Sequence, residues 1–358
     1  MGDKLLMKGN EAIGEAAIRA GCRFFFGYPI TPQSELPEYL ARRLPEIGGV
    51  FLQAESEIAA INMVYGAAGA GARVMTSSSS PGISLKQEGI SYLVCAELPA
   101  VIVNMARGGP GLGSIQPSQS DYYQATRGGG HGDYRLIVLA PASVQELVDL
   151  TWEAFALADR YRNPVMVLGD GMLGQMMEAV EFPSEPSPEF AKPWATTGAA
   201  NRPPNEIFSF YLRGEDLEEK NKALAEKFRC IQAEQQRWEC FMAEDAEVLV
   251  AAYGISARVA RRAVKMAREQ GIKAGMFRPI SLWPFPAAAL QEAARGVKAI
   301  LVVEMSLGQM IDDVRLAVGN QVAVEFFGRI SVVPSPQEIF EALCAAAQKS
   351  EGGSRRWQ

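Results

Sequence analysis

The sequence predicts an α/β protein built on largely parallel sheets and laid out as two successive units. Three observations carry this. Short apolar runs alternate with longer helix-type segments through the first 170 or so residues. The apolar runs are nearly continuous instead of alternating, which marks strands covered on both faces. The same alternation resumes at Glu247, after a stretch rich in proline and then in charge. A chain of 358 residues is long enough for two sizeable cores.

Taken in order, Asn10 is suited to cap a helix running to about Ala20, and Gly21 stops it. Arg23–Gly27 (RFFFG) reads as a buried strand. Pro32 starts a second helix with Thr31 before it as cap. Val50–Gln53 is a short strand, and Ser56 caps a long helix ending near Gly71. Arg73–Thr76 is a strand, Gly82–Ala96 a helix, and Ala100–Asn104 (AVIVN) a strand, followed by a glycine-rich loop from Met105 to about Ser120. Leu136–Leu139, Ser143–Asp159 and Val165–Gly169 close the first unit as strand, helix and strand. Residues 178–206 are rich in proline and read as a linker or covering arm, and Glu215–Arg237 as a strongly charged helix. The second unit has strands at Glu247–Ala252, Lys273–Phe277, Ala299–Glu304 and Val322–Phe326, with a helix at Ser256–Gln270. The expected divisions are 1–180, 181–245 for the arm with its charged helix, 246–350, and a polar tail at 351–358.

Composition removes several classes of function. Apolar residues make up 48% and charged residues 21%, an ordinary globular balance. The net charge of −6, without a basic tract, argues against nucleic acid or an anionic membrane as partner. No apolar run reaches the ~18 residues of a membrane span, and the N-terminus lacks a cleavable apolar segment, so a cytoplasmic location is expected. The five cysteines include no C-x-x-C pair, so no disulfide framework, iron–sulfur cluster or structural zinc is expected on this chain. His131 is the only histidine, which excludes any mechanism needing two.

In open α/β sheets ligands gather beyond the carboxyl ends of the strands. Four loops fall there. Gly27–Ser34 holds Thr31 between two prolines that stiffen the loop, a good mount for a ligand contact, or simply a helix cap. Ala54–Glu57 places Glu57 in the first turn of a helix, where the dipole alone favours a carboxylate. Ser77–Gly82 puts hydroxyls and amides at a helix start, an anion-binding nest or a polar turn. Arg107–Gly113 sets one arginine among four glycines, and arginine is the natural bidentate partner of a carboxylate. This glycine pattern follows the wrong strand for a dinucleotide site. Gly169–Asp170–Gly171 has the look of a magnesium–diphosphate motif, but the segment towards Asn201 is not the helix and strand such a motif needs, so a strand-ending turn is the simpler account.

Together, and in this order, these segments resemble the alpha subunit of the 2-oxoacid:ferredoxin oxidoreductases. The resemblance runs through GYPITPQSE (27–35), ESEIAAINMVYGAAGAGAR (55–73), TSSSSPGISLKQE (76–88), RGGPGLG (107–113), QSDYYQATRGGGHGDYR (119–135) and NPVMVLGDG (163–171). In the second unit it takes in FRPISLWPFP (277–286) and VVEMSLGQMIDDVR (302–315). It covers most of the chain apart from 178–244 and the tail. The RGGPGLG and GGGHGDYR stretches look most like the branched-chain, 2-oxoisovalerate type.

The resemblance implies an α/β fold with a pyrimidine-type, thiamine diphosphate-binding, doubly wound parallel sheet domain and a transketolase C-terminal-like α/β domain. It implies oxidative decarboxylation of a 2-oxoacid to acyl-CoA, with electrons passing to ferredoxin. Pyruvate and 2-oxoglutarate are the other substrates to consider, and a ferredoxin-independent decarboxylase or synthase half, or a non-catalytic scaffold, the other functions. Thiamine diphosphate would be shared with a beta subunit that holds the diphosphate and Mg2+. Clusters would sit on partner subunits, including a ferredoxin-like one, and a gamma subunit would complete the complex. Glu57 matches the glutamate that hydrogen-bonds the aminopyrimidine N1′; Glu55 has the wrong spacing to Gly66. Thr31, with Pro29 and Ile30, matches the loop beside cofactor and substrate. Ser78 and Ser79 match the region near the pyrimidine, and Arg107 matches an arginine able to pair with the substrate carboxylate. His131 has no required part, because the cofactor is itself base and electron sink.

Overall fold

A computed structural model describes residues 4–351; of the expected tail, all but Glu351 lies outside them. The first part of the chain runs β1 (Leu5–Lys8), α1 (Gly9–Arg19), β2 (Phe24–Gly27), α2 (Glu35–Glu46), β3 (Val50–Gln53), α3 (Glu57–Gly69), β4 (Val74–Ser78), α4 (Ser80–Cys95), β5 (Val101–Ala106), α5 (Tyr122–Arg127), β6 (Ile137–Leu139), α6 (Val144–Tyr161), β7 (Val165–Asp170), α7 (Gly171–Gln175) and β8 (Met177–Val180). It continues with α8 (Gly214–Glu234), β9 (Trp238–Phe241), β10 (Val248–Ala252), α9 (Gly254–Glu269), β11 (Ala274–Pro279), β12 (Ser281–Trp283), α10 (Ala287–Ala293), β13 (Ala299–Glu304), α11 (Met310–Val318), β14 (Ala323–Gly328) and α12 (Pro336–Glu351).

Seven strands form the first sheet in the order β12-β6-β7-β5-β4-β2-β3, parallel except for β12. Strands β4, β5 and β7 are buried along their whole length, their apolar residues covered on both faces and their polar ones gathered towards the carboxyl ends. The second sheet has five strands, β14-β13-β10-β11-β9, parallel except for β9. A two-stranded antiparallel ribbon, β1-β8, ties the chain's start to the end of the first unit. Around the first sheet α1 packs against α2 and α6, and α3 against α4. No helix among the described residues is long and apolar enough to cross a membrane.

Several local expectations change. Thr31 does not cap α2: the helix begins at Glu35 with Ser34 as its N-cap residue. Residues 30–34 turn instead, through bonds from the Gln33 N–H to the Ile30 carbonyl (3.2 Å) and from the Leu36 N–H to the Gln33 carbonyl (3.0 Å). The turn buries Gln33 under the loop, where its side-chain oxygen accepts from the Ser77 hydroxyl. Ser56 does cap α3, accepting from the Ala59 N–H at 3.2 Å. The short strands β1, β8, β9 and β12 and the helix α5 extend the sequence reading.

The segment between the units is a covering arm. The Thr196 N–H bonds the Gly69 carbonyl at the end of α3 (2.9 Å), and Lys192 and Arg73 both pair with the buried Asp159 (2.7 and 2.8 Å). Helix α8 is fastened by Lys227, which donates to Glu97 (3.3 Å) and to the Arg162 carbonyl (3.2 Å). Two of the devices that join the units stand out by their burial. Gln119, near the end of the glycine-rich loop, donates its N–H to the Met305 carbonyl (2.9 Å), and its side chain donates to the Tyr253 carbonyl (2.8 Å) and accepts from the Met305 N–H (2.9 Å) and the Ser256 hydroxyl (2.7 Å). Arg278 meets Glu146 in a two-pronged pair with both distances 2.7 Å. One apolar core runs from the first sheet into the second.

Candidate functional site

Strands β3, β2, β4 and β5 lie side by side, so the loops leaving their carboxyl ends converge. These are the loops at 28–34, 54–56, 79 and 107–121. The residues singled out from sequence come to this one edge, the exceptions being Asn201 and His131. His131 is exposed at the far end of α4, edge-on to Tyr92 with ring centres 6.5 Å apart.

Glu57 opens α3 and is only 6% exposed. Its carboxylate lies against the first turn of α4, where Gly82 makes room for it. A β-carbon built on Gly82 would stand 2.6 Å from Glu57 Oε1 and 2.1 Å from Ser78 Oγ. Ser78 and Ser79 are fully buried, and neither hydroxyl has a hydrogen-bond partner. The side-chain amide nitrogen of buried Gln33 is unpartnered as well. Unpaired buried polar atoms cost free energy, roughly 1–3 kcal/mol each.

Arg107 leaves the end of β5 and is 7% exposed. Its guanidinium joins two loops, donating from Nη1 to the Thr31 carbonyl (2.9 Å) and from Nη2 to the Leu112 carbonyl (3.0 Å), while Nε is buried without a partner. Its backbone N–H bonds the Ser80 hydroxyl (2.9 Å), which in turn donates to Asp121 (2.7 Å). Burial pushes the Asp121 carboxyl up, against bonds from Ser80 and Asn104 that pull it down. Pro29 and Thr31 are exposed and Ile30 half-buried, so the stiff loop presents itself outward. Around it stand exposed apolar side chains: Tyr28, Ile58 beside Glu57, Leu85 on α4, and Leu112 and Ile115 in the glycine-rich loop, Leu112 being 83% exposed.

Asp170 has a different task. Its carboxylate caps α7 through the Met172 and Leu173 N–H groups (2.9 and 3.2 Å), and burial pushes it up to about 6. Asn201 lies in an exposed turn. Among the described residues no group of three or more histidines, cysteines or acids is placed to hold a metal.

Sequence reasoning missed Lys86. It is fully buried on α4, and its Nζ donates to Thr76 Oγ1 (2.6 Å) and to the Ser77 carbonyl (2.9 Å). Burial pulls its pKa down to about 7, with Glu57 as the opposing negative charge. The available signal was its spacing, one helical turn beyond Gly82 on an otherwise apolar face. Gln33 and Asn104 were missed too, and neither type nor spacing marks them.

Residues 15–227 match the family described as pyruvate flavodoxin/ferredoxin oxidoreductase, thiamine diphosphate-binding, and the class this defines with the fold is a thiamine diphosphate-binding α/β protein. Residues 246–339 match pyruvate:ferredoxin oxidoreductase core domain II. A ketoisovalerate oxidoreductase subunit, VorB, of Methanothermobacter marburgensis is 54% identical over 88% of this chain and 90% of its own length. A 2-oxoglutarate synthase subunit, KorA, of Methanothermobacter thermautotrophicus is 38% identical over 96% and 99%. The solved 2-oxoglutarate:ferredoxin oxidoreductase of Magnetococcus marinus superposes with a TM-score of 0.87 at 27% identity, covering 97% of this chain and 66% of that one. A split-gene transketolase shares the fold, with a TM-score of 0.60 at 16% identity over 97% of this chain and 99% of that one. The chain belongs to the 2-oxoacid:ferredoxin oxidoreductase family and is a subunit of such an enzyme.

Proposed function

We propose that this chain is the alpha subunit of a CoA-acylating, branched-chain 2-oxoacid:ferredoxin oxidoreductase of the cytoplasm. In it, residues 1–180 present the pyrimidine side of a thiamine diphosphate site that a beta subunit completes, 181–245 serve as the arm, and 246–350 form the transketolase C-terminal-like domain. The observation that carries this is the buried Glu57 carboxylate, which meets Ser78 at Gly82, on a sheet edge where the Ser78 and Ser79 hydroxyls and the Gln33 amide are unsatisfied. That donor set fits an aminopyrimidine, with a carboxylate for the ring nitrogen and hydroxyls and an N–H for the other edges. Bound thiamine diphosphate supplies the nucleophilic carbon and the electron sink for decarboxylation.

This chain's residues then divide the work. Glu57 holds and moves the proton at N1′. Ser78 and Ser79 fix the ring. Arg107 braces the Thr31 and Leu112 loops, and its unpaired Nε–H is the group left over for the substrate carboxylate. Thr31, Pro29 and Ile30 line the entrance. The exposed apolar side chains around the edge supply a surface for the beta subunit. That subunit would carry the diphosphate and Mg2+, a ferredoxin-like subunit the clusters, and a gamma subunit would complete the assembly, with CoA taking the acyl group and ferredoxin the electrons. The branched-chain substrate rests on the 54% identity to the ketoisovalerate enzyme's subunit. The 2-oxoglutarate relatives make 2-oxoglutarate the competing substrate.

The test is CoA-dependent reduction of a low-potential dye by the co-expressed complex, compared over 2-oxoisovalerate, 2-oxoglutarate and pyruvate. The expected result is the highest kcat/KM with 2-oxoisovalerate; preference for 2-oxoglutarate overturns the substrate assignment. Glu57→Gln should lower kcat by about 10²–10⁴ while the complex still assembles. Wild-type turnover removes Glu57 from the mechanism.

A further inference from the structure

Lys86 is a buried cation for which the function above has no use. It stands one turn along α4 from Gly82, the residue against which the Glu57 carboxylate lies. Side chains on a helix lean towards its N-terminus. The Lys86 chain therefore runs back along the Gly82 face, and its Nζ ends at Thr76 Oγ1 and the Ser77 carbonyl, on the strand end that carries Ser78. Two of its three N–H donors are accounted for there. No hydrogen bond to the Glu57 carboxylate comes from the described residues.

We propose that Lys86 is a positioning residue whose ammonium is the buried countercharge of Glu57, holding that carboxylate in place once a partner subunit seals the site. This rests on the assignment of Glu57 as the pyrimidine-facing carboxylate. The physical need is plain: covering a carboxylate raises its pKa, and a cation nearby offsets the rise. Its own bonds go to neutral groups, Thr76 and Ser77, and Glu57 is the charge that acts on it. Two other ionisable groups of this edge are committed elsewhere, Asp121 to Ser80 and Asn104, and Arg107 to two carbonyls. Burial has already brought Lys86 down to about 7, so its charge is lost as pH rises through the neutral range. The pair thus gives the active site a basic limb.

The experiment uses the assembled complex and measures kcat and kcat/KM against pH for wild type, Lys86→Met, Lys86→Arg and Glu57→Gln. In Lys86→Met kcat should sit at the wild type's high-pH level across the whole range, because Glu57 then has no countercharge at any pH. Lys86→Arg keeps its charge throughout, so the basic limb should disappear while turnover stays within about tenfold of wild type. Thermal stability gives a second readout. The folded complex binds fewer protons than the unfolded chain between about 7 and Lys86's ordinary 10.5, so the wild type gains stability with pH across that window. Lys86→Met should lose this gain.

Profiles of both variants that superimpose on the wild type overturn the proposal. If Lys86→Met does not assemble, Lys86→Arg decides alone, and a retained basic limb overturns the proposal. Wild-type turnover in Glu57→Gln sinks the underlying assignment, and this inference with it. A dead Glu57→Gln beside unshifted Lys86 variants sinks only the inference.

Discussion

Gly82 shows how one missing methyl group permits a site. Its helix start must pass close to two other side chains, and the gap that a β-carbon would fill is taken by Ser78 Oγ and Glu57 Oε1. Gly82→Ala should therefore push the carboxylate aside and cost about 10²-fold in kcat in the assembled complex, more than it costs in KM. Steady-state kinetics check this, and an unchanged kcat would mean that Glu57 has slack. The position was legible only as part of a polar helix start. What makes it matter is the approach of α3, which sequence spacing alone does not give. Lys86 was hidden for the same reason: a lysine in a helix reads as solvated until a sheet and a second helix are seen to bury it.

At the level of elements, the strongest local signals were the caps with a mechanism. Ser56 holds the first turn of α3 through the Ala59 N–H, so Ser56→Ala should lower stability by about 1 kcal/mol in denaturant titration and fray the turn that carries Glu57. A change within error would show that packing against α4 suffices. Thr31 looked like the same kind of cap, but Gln33 is buried beneath the loop, and the chain delays the helix to place it. The long buried strands were readable from their apolar runs. Strands β1, β8, β9 and β12 were not, because each is held by antiparallel pairing with a strand that is not its neighbour in sequence. The four edge loops were readable because their strands were; which donors inside them lack partners is a matter of three-dimensional packing.

Across the whole molecule, the two units were legible as a repeated alternation of strand and helix, but their interlocking was not. Arg278 on β11 pairs with Glu146 on α6, and also with Glu239 on β9. Burial alone would raise the Glu146 carboxyl; the hydrogen bonds and charge of Arg278 and the Ala142 N–H outweigh it and hold the group below its ordinary range. The stability from this pairing is present above the ordinary carboxylate pKa and is lost as pH falls through the lowered one. Glu146→Ala should cost about 2 kcal/mol near neutral pH, less than a fully enclosed pair because Glu146 keeps some contact with water. The difference from wild type should vanish in acid, as unfolding curves at several pH values would show. A constant difference would assign the effect to packing.

β12 lies within the span of the second unit, yet it forms the outer strand of the first sheet, running antiparallel along β6. On the ribosome, residues 137–139 emerge long before residues 281–283 do. Until then the nascent first unit carries a bare β6 rim, a surface on which another chain's strand can settle. The native partner for that rim comes from the same polypeptide, so maturation of the cofactor-facing half waits on synthesis of the other.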